Sequence, residues 1–191
     1  MAARVVIAED EAIIRLDLQE TLEEEGYEVV GSTGRGDEAV AMVRDLKPDL
    51  AILDIKMPGM DGISAAKEIA GARWAAVLIL TAFSQRDLVE QARDAGAIGY
   101  LVKPFQKSDL VPAIEVAIGR FSELRALEQE VHSLEEQLTT RRIVERARGL
   151  LMDKHNLSEN DAFTFIQQSA MRQRAKMRTV AEQVLDGTLT P

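Results

Sequence analysis

Four short apolar runs, Arg4–Ala8, Leu50–Leu53, Ala76–Leu80 and Gly99–Val102, punctuate the first hundred residues. They are too short for helices, rich in Val, Ile and Leu, and show no alternation of polar and apolar positions. That pattern predicts strands buried on both faces of a parallel sheet. A fifth run, Tyr27–Val30, carries the same signal more weakly. Between the runs, Ala12–Glu25, Asp37–Leu46, Ile63–Ala70 and Asp87–Ala95 have the spacing of amphipathic helices. Strand and helix alternate in this way over residues 1–120, which predicts a doubly wound α/β domain around a five-stranded parallel sheet. Gly26, Gly36, Gly62, Gly71 and Gly96 fall at the predicted joints, where turns and helix ends need them.

The pattern changes at Ser108, after which no strand is predicted. Ser108 is the expected N-cap of a long helix, with Pro112 tolerated in its first turn. Apolar residues then fall at Ile114, Ala117, Phe121, Leu124, Val131, Leu134 and Leu138, with Glu128 in the missing step. This is a heptad-like seam. Packing on the first domain accounts for Ile114 and Ala117, but beyond Phe121 the helix would outrun that domain. Residues 121–138 are therefore expected to form a coiled-coil linker and, with it, a homodimer. Residues 139–191 read as a small three-helix all-α domain. Its first helix is expected over Thr140–Lys154. The second is capped by Ser158 with Asp161 and runs through Ala162, Phe163, Ile166 and Ala170. The third starts near Arg174 and ends before Gly187. Phe163, Phe165 and Met171 are read as core, with stacking platforms for bases as the alternative.

Composition narrows the possibilities. The 191 residues contain no cysteine, which excludes disulfides and thiol chemistry. No uncharged stretch reaches the roughly 18 residues of a membrane helix, and the N-terminus does not read as a secretion signal, so a cytoplasmic protein is expected. The net charge of −9 is unevenly spread: residues 139–191 carry nine Lys and Arg against six Asp and Glu. A basic end on an acidic chain points to a nucleic-acid partner for that end. Arg141, Arg142, Arg146 and Arg148 lie on its first helix, and Arg172, Arg174, Lys176 and Arg178 lie around the start of the third.

The candidate chemistry sits where the predicted strands end. Glu9 and Asp10 follow the first strand, Asp54 the third, Thr81 the fourth and Lys103 the fifth. In doubly wound folds this is the edge that binds ligands. Three carboxylates in one pocket demand a hard divalent cation, and Mg²⁺ suits them. A carboxylate so screened can attack phosphorus and form an acyl phosphate. The Lys103 ammonium and Thr81 hydroxyl are then placed to hold phosphoryl oxygens.

Glu9-Asp10, Asp54 with Lys56-Met57-Pro58-Gly59-Met60-Asp61-Gly62, Thr81-Ala82 and Lys103-Pro104 resemble the receiver domain of two-component response regulators. The resemblance covers about residues 4–120. It implies that Asp54 is the phosphoacceptor for a sensor histidine kinase. It also implies that Glu9, Asp10, Asp54 and the Lys56 carbonyl hold Mg²⁺, and that Lys103-Pro104 is cis. Tyr100 matches the switch aromatic that moves with Thr81. Lys56 and Phe83 occupy the positions that govern phosphoryl lifetime, and neither suits the orientation of a hydrolytic water. Arg142 through Met152, with Asp161-Ala162-Phe163, Met171 and Val180-Ala181, resembles the ANTAR domain, an RNA-binding output module. Arg148 stands where lysine is commoner in that family, and Ala170 where serine is common. The whole chain is similar to actinobacterial antitermination regulators. That similarity implies a phosphorylation-controlled protein that binds RNA hairpins in leader transcripts. By charge and position, Arg142, Arg146, Arg148, Arg174 and Lys176 are the candidate RNA contacts, with solvated helix faces as the alternative reading. No further nucleophile–base or metal constellation points to an enzyme. A DNA-binding regulator and a receiver acting only through protein contacts are the competing readings.

Overall fold

The computed structural model describes residues 2–82 and 86–191, the side chain of Arg86 excepted. The elements are β1 (Arg4–Ala8), α1 (Ala12–Glu24), β2 (Glu28–Thr33), α2 (Gly36–Leu46), β3 (Leu50–Asp54), α3 (Gly62–Gly71), β4 (Ala76–Thr81), α4 (Arg86–Asp94), β5 (Gly99–Val102), α5 (Lys107–His155), α6 (Glu159–Gln173) and α7 (Met177–Asp186). They divide into two compact units, Met1–Arg125 and Ala126–Pro191.

In the first unit the strands form one parallel sheet in the order β2-β1-β3-β4-β5. This is the flavodoxin-like order of a doubly wound fold. Because successive side chains alternate across a strand, Val6, Ala8, Leu53 and Ile79 pack on one face with Val40, Val43 and Ile69 of α2 and α3. Val5, Ile7, Ile52 and Leu78 pack on the other with Leu18 and Leu22 of α1 and Leu110, Ile114 and Phe121 of α5. Every residue of β3 and β4 is buried. Each large aliphatic side chain buried there contributes about 1.5–3 kcal/mol of transfer free energy.

Several boundaries differ from expectation. β2 starts one residue later than Tyr27 and runs three beyond Val30, through Gly31, Ser32 and Thr33. Those residues have no apolar signature; pairing of Ala8 with Thr33 extends the strand, across a register shift at Val5/Val6. α5 begins at Lys107, so Ser108 lies inside it. The cap comes from Asp109, whose carboxylate accepts from the Gln106 N–H at 3.0 Å. The Gln106 carbonyl accepts from the N–H groups of Asp109 and Leu110. Pro112 is consequently deeper than the first turn and removes one intrahelical bond.

No break separates the expected linker from a helix starting at Thr140: α5 is continuous to His155, and Asn156 turns left-handed after it. The chain has neither glycine nor proline between Arg120 and Arg148 to interrupt it. Along α5, burial stops abruptly. Phe121 is 8% exposed, whereas Leu124, Leu127, Val131, Leu134 and Leu138 are 41–58% exposed. Leu127 was absent from the expected seam. Its spacing of three from Leu124 shifts the phase, so the exposed stripe bypasses Glu128.

In the second unit, Ala147 and Leu151 of α5 pack with Ala162, Ile166 and Ala170 of α6 and Val180, Ala181 and Val184 of α7. Ser158 caps α6 as expected, its hydroxyl accepting from the Asp161 N–H at 3.1 Å. The third helix begins at Met177 rather than near Arg174, because Arg174 adopts the left-handed conformation that ends α6 (φ 51°). Phe165 packs against this core. Met171, 73% exposed, does not, and Phe163 is 38% exposed; the reading of both as core is corrected. A Cβ added to Gly149 would meet nothing within 4 Å, so its small size serves no close approach within the chain.

Candidate functional site

The C-terminal ends of β1, β3, β4 and β5 bring Glu9, Asp54, Thr81 and Lys103 to one edge of the sheet. Glu9, Asp54 and Thr81 are all buried. The Lys103 ammonium hydrogen-bonds Glu9 Oε2 and lies 2.6 Å from Asp54 Oδ1. The Lys56 N–H donates to Asp54 Oδ2 at 2.8 Å, and the Glu11 N–H to Glu9 Oε1 at 3.4 Å. Lys103-Pro104 is cis. Arg15, for which the sequence held no signal, donates to the Glu9 carbonyl oxygen and so fixes the loop after β1. Tyr100 on β5 is about half exposed. Phe83 lies outside the described residues.

The pocket floor depends on close backbone approach. A Cβ on Gly62 would lie 1.9 Å from the Asp54 carbonyl oxygen, and one on Gly36 would lie 2.1 Å from that of Met60. Gly59, at φ +80°, turns the loop between Asp54 and α3. Asp61 then caps α3 by accepting from the Ser64 N–H at 2.8 Å.

The electrostatics follow from this packing. Burial pushes the Glu9 carboxyl above the usual carboxylate range, against the pull of the Lys103 hydrogen bond, and the Asp54 charge adds to the rise. Burial also opposes the charge on Lys103, but hydrogen bonds to Asp54 and Glu9 outweigh it and raise the ammonium above the ordinary lysine value. One ammonium thus faces two buried carboxylates, with Asp10 beside them. Oxygen atoms of Glu9, Asp10 and Asp54 lie within 4.8 Å of one another. An all-oxygen, multiply anionic donor set of this size fits a hard divalent cation such as Mg²⁺.

The basic residues of the second unit fall into two groups. Arg148 is paired with Glu145 and, at 3.1 Å, with Glu159, and Arg178 is paired with Glu182 at 2.9 Å. Arg141, Arg142, Arg146, Lys154, Arg172, Arg174 and Lys176 are exposed and make no ion pair among the described residues. No described helix is long and apolar enough to cross a membrane.

Residues 5–115 match the family model of the response regulator receiver domain, and residues 132–185 match that of the ANTAR domain. The chain is 61% identical over 188 residues to the transcriptional regulatory protein PdtaR of Mycobacterium tuberculosis, spanning 98% of this chain and 92% of that one. It is 42% identical to the chemotaxis protein CheY of Thermotoga maritima over 60% of this chain and 96% of CheY. Among solved structures, the signal receiver domain of the response regulator NarL from Mycobacterium tuberculosis superposes with a TM-score of 0.60 at 30% identity, covering 62% of this chain and 97% of that domain. CheY in the CheX–CheY–BeF₃–Mg²⁺ complex of Borrelia burgdorferi superposes with a TM-score of 0.56 at 27% identity, covering 59% and 86%. A parallel sheet with clustered carboxylates and a lysine at one edge, joined in one chain to a helical unit with exposed arginines, agrees with these matches. The chain belongs to the response regulators that couple a receiver domain to an ANTAR output domain.

Proposed function

We propose that this protein is phosphorylated on Asp54 by a sensor histidine kinase and that the modification controls RNA binding and transcription antitermination by its C-terminal module. The observation that carries the reading is the meeting of Glu9, Asp54 and Lys103 at the edge of the sheet. A carboxylate oxygen of Asp54 attacks phosphorus, a P–O bond forms, and the bond to the donor nitrogen breaks, leaving the kinase imidazole. Lys103 holds a phosphoryl oxygen and Thr81 another. Glu9, Asp10, Asp54 and the Lys56 carbonyl would hold Mg²⁺, which supplies charge neutralisation as the anionic donor approaches. The solved complex of a related CheY with BeF₃ and Mg²⁺ supports that assignment. Tyr100, exposed on β5, is the aromatic whose position changes when Thr81 engages the phosphoryl group.

On this reading residues 1–120 are the phosphoacceptor domain, 121–138 a helical linker and 139–191 the RNA-binding domain. The exposed apolar stripe from Leu124 to Leu138 pairs with a second copy. Arg142, Arg146, Arg174 and Lys176 contact RNA phosphates, Arg148 more weakly because its charge is already paired. Two RNA-binding units side by side suit transcripts that carry paired hairpins. The test is twofold. A small phosphodonor with Mg²⁺ should give an acid-stable, base-labile adduct on wild type and none on Asp54→Asn. Sequencing RNA crosslinked in cells should recover leader transcripts that Asp54→Asn does not enrich. Equal labelling of the two proteins refutes the phosphorylation step, and recovery of no RNA refutes the output.

A further inference from the structure

An aromatic side chain left outside the core of a small helical unit calls for a reason. In α6, Ala162, Ile166 and Ala170 face the bundle core and Phe165 packs against it, but Phe163 does not join it. Phe163 instead forms a wall shared by two grooves. One, of about 440 Å³, is also lined by Gln137, Thr140, Arg141, Val144 and Met177. The other, of about 410 Å³, is lined by Arg148, Glu159 and Asn160.

The chemistry of the first groove favours one kind of occupant. Its floor is apolar through Val144, Met177 and the Phe163 ring. Its rim offers amide and hydroxyl groups from Gln137 and Thr140, and an unpaired guanidinium from Arg141. Two carboxylates complete it: Glu145, already held by Arg148, and Glu136, 3.5 Å from His132. A phosphate would be repelled by those carboxylates. A flat, neutral ring with hydrogen-bonding edges would not be, and amino groups on its edge would find acceptors. A nucleobase is such a ring, and base stacking on an exposed aromatic contributes about 1–3 kcal/mol.

We propose that Phe163 is the stacking platform for an unpaired RNA base seated in this groove, with Arg141 at the rim on the adjoining phosphate. The inference rests on the RNA-binding reading and adds to it a site that reads bases rather than backbone. Backbone contact by the unpaired arginines supplies salt-dependent affinity for any RNA. Phe163 would supply affinity that only an RNA with splayed, unpaired bases can use.

The test uses the full chain, with and without a small phosphodonor, and two fluorescent probes: an oligoadenylate and a ribose-phosphate oligomer of equal length lacking bases. Wild type should bind the oligoadenylate more tightly. Phe163→Leu should lose about 5- to 150-fold for the oligoadenylate alone, keeping its affinity for the base-free probe and its salt dependence. In a Trp74→Phe background, the indole of Phe163→Trp should be quenched by the oligoadenylate and not by the base-free probe. Phe163 lies outside the core, so the melting temperature of Phe163→Leu should stay near that of wild type, separating lost binding from lost folding. Equal binding of both probes by wild type and Phe163→Leu, with no quenching, overturns the platform while leaving the RNA reading intact. So does an equal loss on both probes, or quenching that follows protein concentration without RNA, which would make this face an interface between copies. Failure of wild type to bind either probe overturns the platform and the RNA reading together.

Discussion

Lys103 Nζ lies 2.6 Å from Asp54 Oδ1 while the same ammonium hydrogen-bonds Glu9, so a single cation compensates two buried carboxylates. Removing it leaves the fully buried Glu9 facing Asp54 with no positive charge between them. Breaking a buried pair by deleting one partner costs about 3–5 kcal/mol. Lys103→Met should therefore lower receiver stability at pH 7 by roughly 3 kcal/mol in urea denaturation. Millimolar Mg²⁺ should raise the melting temperature of the variant more than that of wild type, because a bound cation restores the missing charge. An equal rise in both proteins would mean that Lys103 and the metal do not compensate the same carboxylate charge.

Gly62 tests the backbone geometry under the pocket. A methyl group there would lie 1.9 Å from the Asp54 carbonyl oxygen, and no flexible side chain can yield to it. Gly62→Ala should destabilise the receiver by about 2–3 kcal/mol, as overpacking does. Gly71→Ala, where the added Cβ meets nothing within 4 Å, should be neutral or slightly stabilising. Comparing the two by chemical denaturation separates crowding at the site from the general effect of glycine in a helix.

Asp61 gives a pH dependence of known sign. Hydrogen bonds from the backbone and hydroxyl of Ser64 hold its carboxyl below the usual range. A group depressed on folding stabilises fully above its unfolded pKa, near 3.9, and that contribution disappears as pH falls through the folded value. Asp61→Ala should cost about 1 kcal/mol at pH 7, the typical loss of an N-cap. The difference from wild type should shrink toward zero in strong acid, as followed by thermal melts over a pH series.

Much of this was readable from the sequence, for identifiable reasons. Strands β3 and β4 are buried on both faces, so their residues had to be apolar and their ends carry the chemistry. The second half of β2 was hidden, because Gly31, Ser32 and Thr33 are placed by pairing with β1 and not by their own character. The start of α5 was misplaced because Ser108 resembles a cap, while the working cap is an acid further along, Asp109, reaching back to Gln106. Of the candidate site, Glu9, Asp54, Thr81 and Lys103 announced themselves by falling at the ends of four of the five expected strands. Arg15 did not, since the group to which it donates is a backbone carbonyl, which leaves no mark in the sequence. Phe163 was misread because it sits next to the core residue Ala162, and helical spacing alone does not say how wide the buried face is.

The arginines of the second unit should separate by their pairing. Arg142 is exposed and unpaired, whereas Arg148 is tied to Glu145 and Glu159. Arg142→Ala should reduce the slope of log affinity against log salt by about one. Arg148→Ala should change that slope less, because its charge is already compensated. Filter-binding titrations across a salt series distinguish the two, and equal slopes would count against the pairing argument.

The stripe of Leu124, Leu127, Val131, Leu134 and Leu138 is flanked by Glu123, Glu128, Glu130 and Glu135. In a parallel pair of copies, Glu123 would face the partner's Glu128, and Glu130 the partner's Glu135. Glu128→Lys with Glu135→Lys would turn four repulsions into attractions of about 0.3–0.5 kcal/mol each. Self-association should rise at least about tenfold in sedimentation equilibrium. Leu124→Asp with Leu134→Asp should abolish it and leave the receiver folded.

If the stripe pairs with a second copy as proposed, those glutamates would give it an ionic response opposite in sign to that of the arginines on the bundle. Added salt relieves acid–acid repulsion along the stripe while displacing the output module from phosphates. Occupancy of a two-hairpin transcript should accordingly peak at an intermediate ionic strength, too repulsive below it for copies to pair and too screened above it for them to hold RNA.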